Sequence, residues 1–206
     1  MQIKPETHAW QLMYKLMIGS ILPRPIGWIS TVDAAGTPNL APYSFFNAVC
    51  PNPPHVLFCP NVRPDAGHKD TLANVRATGE FVVNLVGESV AEAMNVTSGD
   101  YMPAVDEFVV AGLTPVPSVH IKPPRVAESP IQFECMVTQI VDVSSQPGGG
   151  SVVIGRVLCM HIDDSVMLGD DKIDLDRFRP IGRLAGSSYV RVTDRFDMAR
   201  PVVSQK

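Results

Sequence analysis

The 206-residue chain is short of charge. Lysine, arginine, aspartate and glutamate make up 18% of it and leave a net charge of −4. No cluster of lysine or arginine interrupts that balance, so the basic footprint of a nucleic-acid-binding surface is not expected. No apolar run approaches the roughly 18 residues that a membrane-spanning helix requires, and no membrane partner is expected. The opening MQIKPETHAW lacks the basic-then-apolar pattern of a secretory signal. Cysteines stand only at 50, 59, 135 and 159, with no C-x-x-C and no zinc spacing, and His8, His55 and His120 are scattered. Cys135 and Cys159 lie within apolar strand patterns and read as buried thiols, which suits the reducing cytoplasm. No G-x-G-x-x-G follows a strand, no Walker loop occurs, and no G-x-S-x-G is present. A Rossmann dinucleotide site, a nucleotide triphosphatase and a serine-hydrolase elbow are therefore not indicated.

What is present is apolar and rich in proline: 45% of residues are hydrophobic and 19 are prolines. That combination suits a β-rich fold with long ordered loops and a sizeable subunit interface. The most informative stretch is 24–71. Residues 26–32 are apolar and β-branched and predict a strand. Residues 33–36 predict a turn, with Gly36 free to take positive φ. Residues 37–41 return, and Pro38 marks that strand as an edge or a bulge. Residues 43–47 form a polar-aromatic loop, 56–59 a short buried strand, and 71–78 a helix with Asp70 as N-cap and Leu72 and Val75 inward. Lys69, Thr71 and the free N–H groups of that helix start have the composition of a phosphate seat. An ordinary solvated helix start satisfies the same spacing. Arg63 and His68 stand on the same loop.

Further along, residues 9–18 carry Trp10, Met13, Leu16 and Met17 at helical spacing, and Gly19-Ser20 ends that helix. Residues 80–86 predict a strand, and Ser89-Val90-Ala91-Glu92 has the pattern of a capping box. Residues 97–117 read as loop, with Phe108 and Leu113 as core anchors, and 119–126 as an irregular or edge strand. Ile131, Phe133, Cys135, Val137, Val141 and Val143 occupy odd positions with Gln132, Glu134, Thr138 and Asp142 between them, a period-two alternation that predicts a strand. The glycine-rich 144–150 turns this strand into its return, 151–162. Six or seven strands with few short helices predict a small antiparallel barrel.

Taken in order, Arg24-Pro25, Ser30-Thr31, Gly36, Asn39, Ala41-Pro42, Ser44-Phe45-Phe46-Asn47, Pro53-Pro54, Lys69-Asp70-Thr71 and Asn74 resemble the flavin reductase-like family, the FMN-binding split barrels. The resemblance continues through 80–85, Asp106-Glu107-Phe108, 155–161 and Pro180-Ile181-Gly182-Arg183-Leu184-Ala185-Gly186. It implies a mainly β fold with short helices, a Greek-key split β-barrel that is homodimeric. It also implies a division into an N-terminal helical extension (1–20), the flavin domain (21–201) and a tail (202–206). The implied activity is hydride transfer from NADH or NADPH to FMN, with FAD as the alternative flavin and an oxygenase as a partner for the reduced product. A flavin-holding electron carrier and a split-barrel oxidase of a small organic substrate stay open beside it.

The cofactor-binding residues expected on this basis are Arg24, Ser30, Thr31, Ser44, Phe45, Asn47, Asn61, Lys69 and Thr71. Lys69 and Thr71 would take the phosphate. Ser30 and Thr31, at the end of the first strand, would offer backbone N–H and C=O groups to a ring edge; a hydroxyl pair bonded to its own backbone near a turn satisfies the same position. Asn47 would suit the pyrimidine edge, since it both donates and accepts. Arg24 would reach a phosphate or a nicotinamide nucleotide, with a surface salt bridge as the equal competitor. One of Phe45 and Phe46 would face the core and the other the ligand or partner. His161 is a weak candidate for placing a nicotinamide, and a structural histidine satisfies the same pattern. Hydride transfer to a flavin needs no protein acid, because the cofactor supplies the chemistry. Arg183 and Tyr189 belong to the late motif, where approach to the groove and packing of the tail are equally compatible.

Overall fold

The structure is a computed structural model that describes residues 1–62, 69–102 and 105–202. It begins with helix α1 (Trp10–Ser20), followed by strands β1 (Gly27–Val32) and β2 (Pro38–Tyr43). Asp33 fixes the turn between these strands, its Oδ1 accepting from the N–H groups of Ala35 and Thr37 at 2.8 Å each. Gly36 takes φ 92° there, a conformation that costs glycine little. Then come β3 (Phe46–Pro51), β4 (Pro54–Phe58), α2 (Asp70–Thr78), β5 (Glu80–Leu85), α3 (Ala91–Val96) and α4 (Glu107–Ala111). The second half holds β6 (Pro115–Val116), β7 (Arg125–Val126), β8 (Ile131–Ser144), β9 (Gly150–Ile162), α5 (Leu175–Phe178), β10 (Ile181–Arg183) and β11 (Tyr189–Arg191).

Seven strands form one antiparallel sheet in the order β2-β1-β5-β8-β9-β4-β3. Its two outermost strands, β2 and β3, are joined by only Ser44 and Phe45. The sheet must therefore curl until its edges adjoin, and its inner face becomes the lumen of a barrel. Ile29, Phe58, Phe81 and Val153 fill that lumen and are fully buried. Phe58 and Phe81 meet edge to face with ring centroids 5.1 Å apart. Helix α2 plugs the lumen through Leu72 and Val75, two inward positions on successive turns. A second core lies outside β1 and β2, where Trp28 and Leu40 pack under Met94 of α3 and Phe108 of α4. Strand β1 is thus buried along its whole length.

Several elements differ from the sequence expectation. The loop expected at 43–47 gives way to a strand, β3, whose residues after Phe46 are all exposed. An edge strand exposed on both faces carries no alternating pattern to reveal it. Lys69 rather than Asp70 occupies the N-cap of α2, and it makes no side-chain cap bond. The capping box at Ser89 is not formed, because a 3-10 turn (Glu88–Val90) precedes α3 and places Val90 at its N-cap. Of the expected strand at 119–126 only β7 is present. The β8–β9 pairing slips where Leu158 is an extra residue in β9 and again where Thr138 is an extra residue in β8. The extra Thr138 moves the side chains that follow it in β8 to the opposite face, so Val141 is exposed, as is Val143, instead of sharing the buried face of Ile131.

Candidate functional site

Helix α1 lies across one side of the barrel with only Ile18 buried. Trp10 rests on Gly148, where an added Cβ would fall 2.4 Å from the indole. Between α1 and the barrel runs a cavity of about 610 Å³, walled by Trp10, Tyr14, Ile18, Asn61, Val62 and Gly186. A smaller one of about 190 Å³ adjoins it and shares Tyr14, Ile18 and Gly186. Arg24, Ser44, Ser98, Arg183 and Tyr189 are among its walls. Together they form a groove of the size that small-molecule ligands occupy. Gly186 has φ 59°, and a Cβ on it would meet nothing within 4 Å. Its missing side chain leaves groove space open.

Three of the expected site residues meet at this groove. Asn61 lines one end, where it bridges to Gly150. Ser44 and Arg24 line the other. Phe45 is half-buried, with the Arg24 guanidinium carbon 6.0 Å from its ring centre, while Phe46 turns into the lumen. Successive residues of extended backbone point to opposite sides, and the two rings do so here. Lys69 is near by: its Nζ lies 3.1 Å from Asp100 Oδ1, two residues beyond the Ser98 wall. The first turn of α2 has no side-chain cap, so its N–H groups and Lys69 remain the positive end of that helix. Asn47 is exposed on β3, its Oδ1 accepting from the Ala48 N–H at 2.9 Å. Arg63 and His68 lie outside the described residues.

Arg24, Ser30, Thr31 and Thr71 have partners within the chain. Arg24 is 5% exposed and its guanidinium is engaged within the chain. Nη1 donates to Ile18 O at 2.8 Å and Ile21 O at 3.2 Å, Nε to Ser44 Oγ at 3.2 Å, and Nη2 to Leu184 O at 3.1 Å. It clamps the end of α1, the β2–β3 bend and the late 184 loop together. Burial lowers its pKa; Tyr14 works against that, and Arg183 adds to it. Ser30 is fully buried beneath the second core's cover, its hydroxyl donating to Pro124 O at 2.5 Å. Thr31 is also fully buried and accepts from Asn74 Nδ2 at 3.0 Å. Thr71, 1% exposed, accepts from Asn39 Nδ2 at 2.9 Å. These three hydroxyls are bonded within the chain: β1 is covered on both faces, and α2 packs on β1 and β2.

His161 has a structural partner. Its Nε2 donates to Glu134 Oε1 at 2.7 Å, and Glu134 is fully buried. The same carboxylate accepts from the N–H groups of Val119 and His120 at 2.7 Å each. Burial alone would raise its pKa, yet these three donors hold it below the usual glutamate value. Strand β9 also separates His161 from Gly150, beside Asn61, by roughly 35 Å at about 3.4 Å per residue. Within one chain His161 does not reach the groove. Glu107 is a second buried carboxylate, 7% exposed, whose Oε2 accepts from the Leu40 N–H at 3.0 Å on the open edge of β2. Burial raises its pKa.

Sequence reasoning did not anticipate Tyr14, Ile18 or Ser98 as groove walls. Tyr14 and Ile18 sit one turn apart in the helix already recognised, and their spacing was the available signal. Arg183 and Tyr189, left between groove and tail, lie on the rim, the Arg183 guanidinium 4.5 Å from the Tyr189 ring centre. No helix among the described residues is long and apolar enough to cross a membrane.

A curled sheet of this order, with a groove at its β2–β3 seam and a helix start beside it, defines a split-barrel protein. The chain belongs to the flavin reductase like domain family, whose model matches residues 18–173. Its fold is shared with solved structures. Nitrilotriacetate monooxygenase component B from Bacillus cereus is 34% identical, with 96% of this chain and 98% of that one covered and a TM-score of 0.91. The 2-nitrobenzoate 2-nitroreductase of Pseudomonas fluorescens is 33% identical, with 98% and 96% covered and a TM-score of 0.86. A split-barrel-domain protein of Shewanella frigidimarina NCIMB 400, at 22% identity, 98% and 100% coverage and a TM-score of 0.82, has the same fold.

Proposed function

We propose that this protein is an FMN-dependent flavin reductase that takes hydride from NADH or NADPH and works as a homodimer. The observation that carries the proposal is the groove between α1 and the β2–β3 bend, beside the uncapped, lysine-bearing start of α2, in a chain of this family. The donor set suits FMN. Lys69 and the backbone N–H groups of α2 match a phosphate. Ser44, Asn61 and Asn47 offer hydroxyl and amide partners to a ribityl chain and a pyrimidine edge. Trp10, Tyr14 and Ile18 form an apolar wall for a ring, and the space above Gly186 leaves room for it. When bound, the flavin supplies the hydride chemistry; the chain binds it, orients it and keeps water from its covered face.

The dimer is supported by apolar surface left uncovered in one chain. Leu16 and Met17 of α1 and Val141 and Val143 of β8 are exposed. Such surface is consistent with a subunit interface. An oxygenase as acceptor of the reduced flavin is supported by the similarity to a monooxygenase component. A second reading is favoured by the similarity to a nitroreductase: direct reduction of a small organic substrate at the same groove.

The test is anaerobic titration of purified protein. We expect a yellow protein that releases FMN on denaturation and bleaches with a reduced nicotinamide. If free flavin turns over, the first reading holds; if only an added nitroaromatic does, the second does. A colourless protein that also fails to bind added FMN would sink both.

A further inference from the structure

A second cavity, of about 590 Å³, opens at the far end of the barrel, between β7, the start of β8 and the end of β9. Arg125, Gln132, His161 and Asp163 give it polar walls, and Met160 and Ile162 give it apolar ones. Within one chain, the length of β9 separates it from the groove.

Arg125 is held there by neutral groups alone. Its Nε and Nη2 donate to Pro117 O at 3.3 and 3.1 Å, and Nη1 donates to Gln132 Oε1 at 3.0 Å. Gln132 is itself locked: it is 6% exposed, and its Nε2 donates to Val126 O at 3.2 Å and to Ser129 O. Its amide oxygen has to face the arginine. No carboxylate lies within ion-pair distance of Arg125 among the described residues, whereas Arg76, Arg177, Arg179, Arg191 and Arg195 each have one. The nearby acids make contacts with other groups. Asp163 Oδ1 accepts from Ser165 N at 2.8 Å, and Glu134 holds His161, Val119 and His120. A guanidinium has five N–H donors, and three are used here. The remaining two, one on each terminal nitrogen, belong to an oriented cation with no ion-pair partner among the described residues.

We infer that this cavity binds a small organic carboxylate, its two oxygens on the free N–H groups of Arg125 and its apolar body against Met160 and Ile162. Planar two-point pairing is the arrangement in which arginine recognises carboxylates best. The neutral clamp on Arg125 means that little side-chain freedom is lost on binding. The inference concerns binding alone and stands whether or not the groove holds a flavin.

The test uses benzoate as probe, followed by calorimetry and by ring-proton NMR on the full chain with and without saturating FMN. We expect saturable benzoate binding, unaltered by FMN, and none by the neutral benzamide. Arg125→Leu should weaken benzoate about tenfold or more. Arg125→Lys keeps the charge but not the fork and should also weaken it. Circular dichroism and thermal melting establish that both variants are folded; should the leucine variant not fold, the lysine variant decides. Absence of saturable binding, equal binding to folded Arg125 variants, competition between benzoate and FMN, or inorganic phosphate binding in preference to benzoate would each overturn the inference.

Discussion

Replacing Arg24 with methionine tests how the groove is assembled. Methionine keeps much of the stem's volume but none of the four donated hydrogen bonds to Ile18, Ile21, Ser44 and Leu184. The Ile18 carbonyl is buried, and leaving it unsatisfied costs about 1–3 kcal/mol. The other three acceptors are partly reached by water, so each loss is worth about 0.5–1.5 kcal/mol at most. Together these predict a destabilisation of roughly 2.5–7.5 kcal/mol, a large share of the ~5–15 kcal/mol that holds a typical domain. Urea unfolding followed by tryptophan fluorescence measures it. Trp28 in the second core reports the barrel, and Trp10 on α1 reports the clamp. Limited proteolysis should also release residues 1–20 earlier than in the parent. Arg24→Lys should recover less than half of the loss, because one ammonium cannot span acceptors on three separate segments. A loss below about 0.5 kcal/mol, the range of an ordinary surface substitution, would refute the clamp; so would full recovery by lysine.

The remaining predictions are briefer. Lys69→Met should lower affinity for FMN about tenfold while leaving riboflavin binding unchanged, since the charge acts on the phosphate; equal losses for both would place the phosphate elsewhere. Thr71→Val should cost about 1–2 kcal/mol of stability by stranding the Asn39 amide, with FMN affinity unaltered; a selective loss of FMN would show that the hydroxyl turns outward on binding. Glu134 has its native pKa depressed, so its ionised form stabilises the fold above the ordinary glutamate value of about 4.3, and that contribution is lost as pH falls through the native pKa. Glu134→Gln should therefore flatten the acid limb of a melting-temperature profile between neutral pH and ~3, and an unchanged slope would count against the depressed pKa. Burial pushes the Cys135 and Cys59 thiols up, so a charged thiol reagent should modify exposed Cys50 first; early labelling of Cys135 would contradict the packed lumen.

The long hairpin of β8 and β9, the β1–β2 turn and the inward Leu72 and Val75 of α2 were legible in the chain itself. They rest on local rules: period two for a strand with one buried face, an aspartate–glycine turn, and helical spacing. The family, too, was legible, because short motifs in a fixed order survive without any knowledge of their contacts. Which hydroxyls face a ligand was not. Ser30, Thr31 and Thr71 carry suitable chemistry, but their direction follows from which elements cover β1 and where α2 docks, and these are contacts between residues dozens of positions apart. The bulge at Thr138 was equally invisible, since a one-residue slip leaves composition unchanged while it reverses the face of Val141. Arg24 shows the same division: its charge and place before a proline could be read along the chain, whereas its four acceptors come from α1, the β2–β3 bend and the loop at 184. Sequence sets what each side chain can do; only the closure of the sheet decides which groups stand near enough for it to do so.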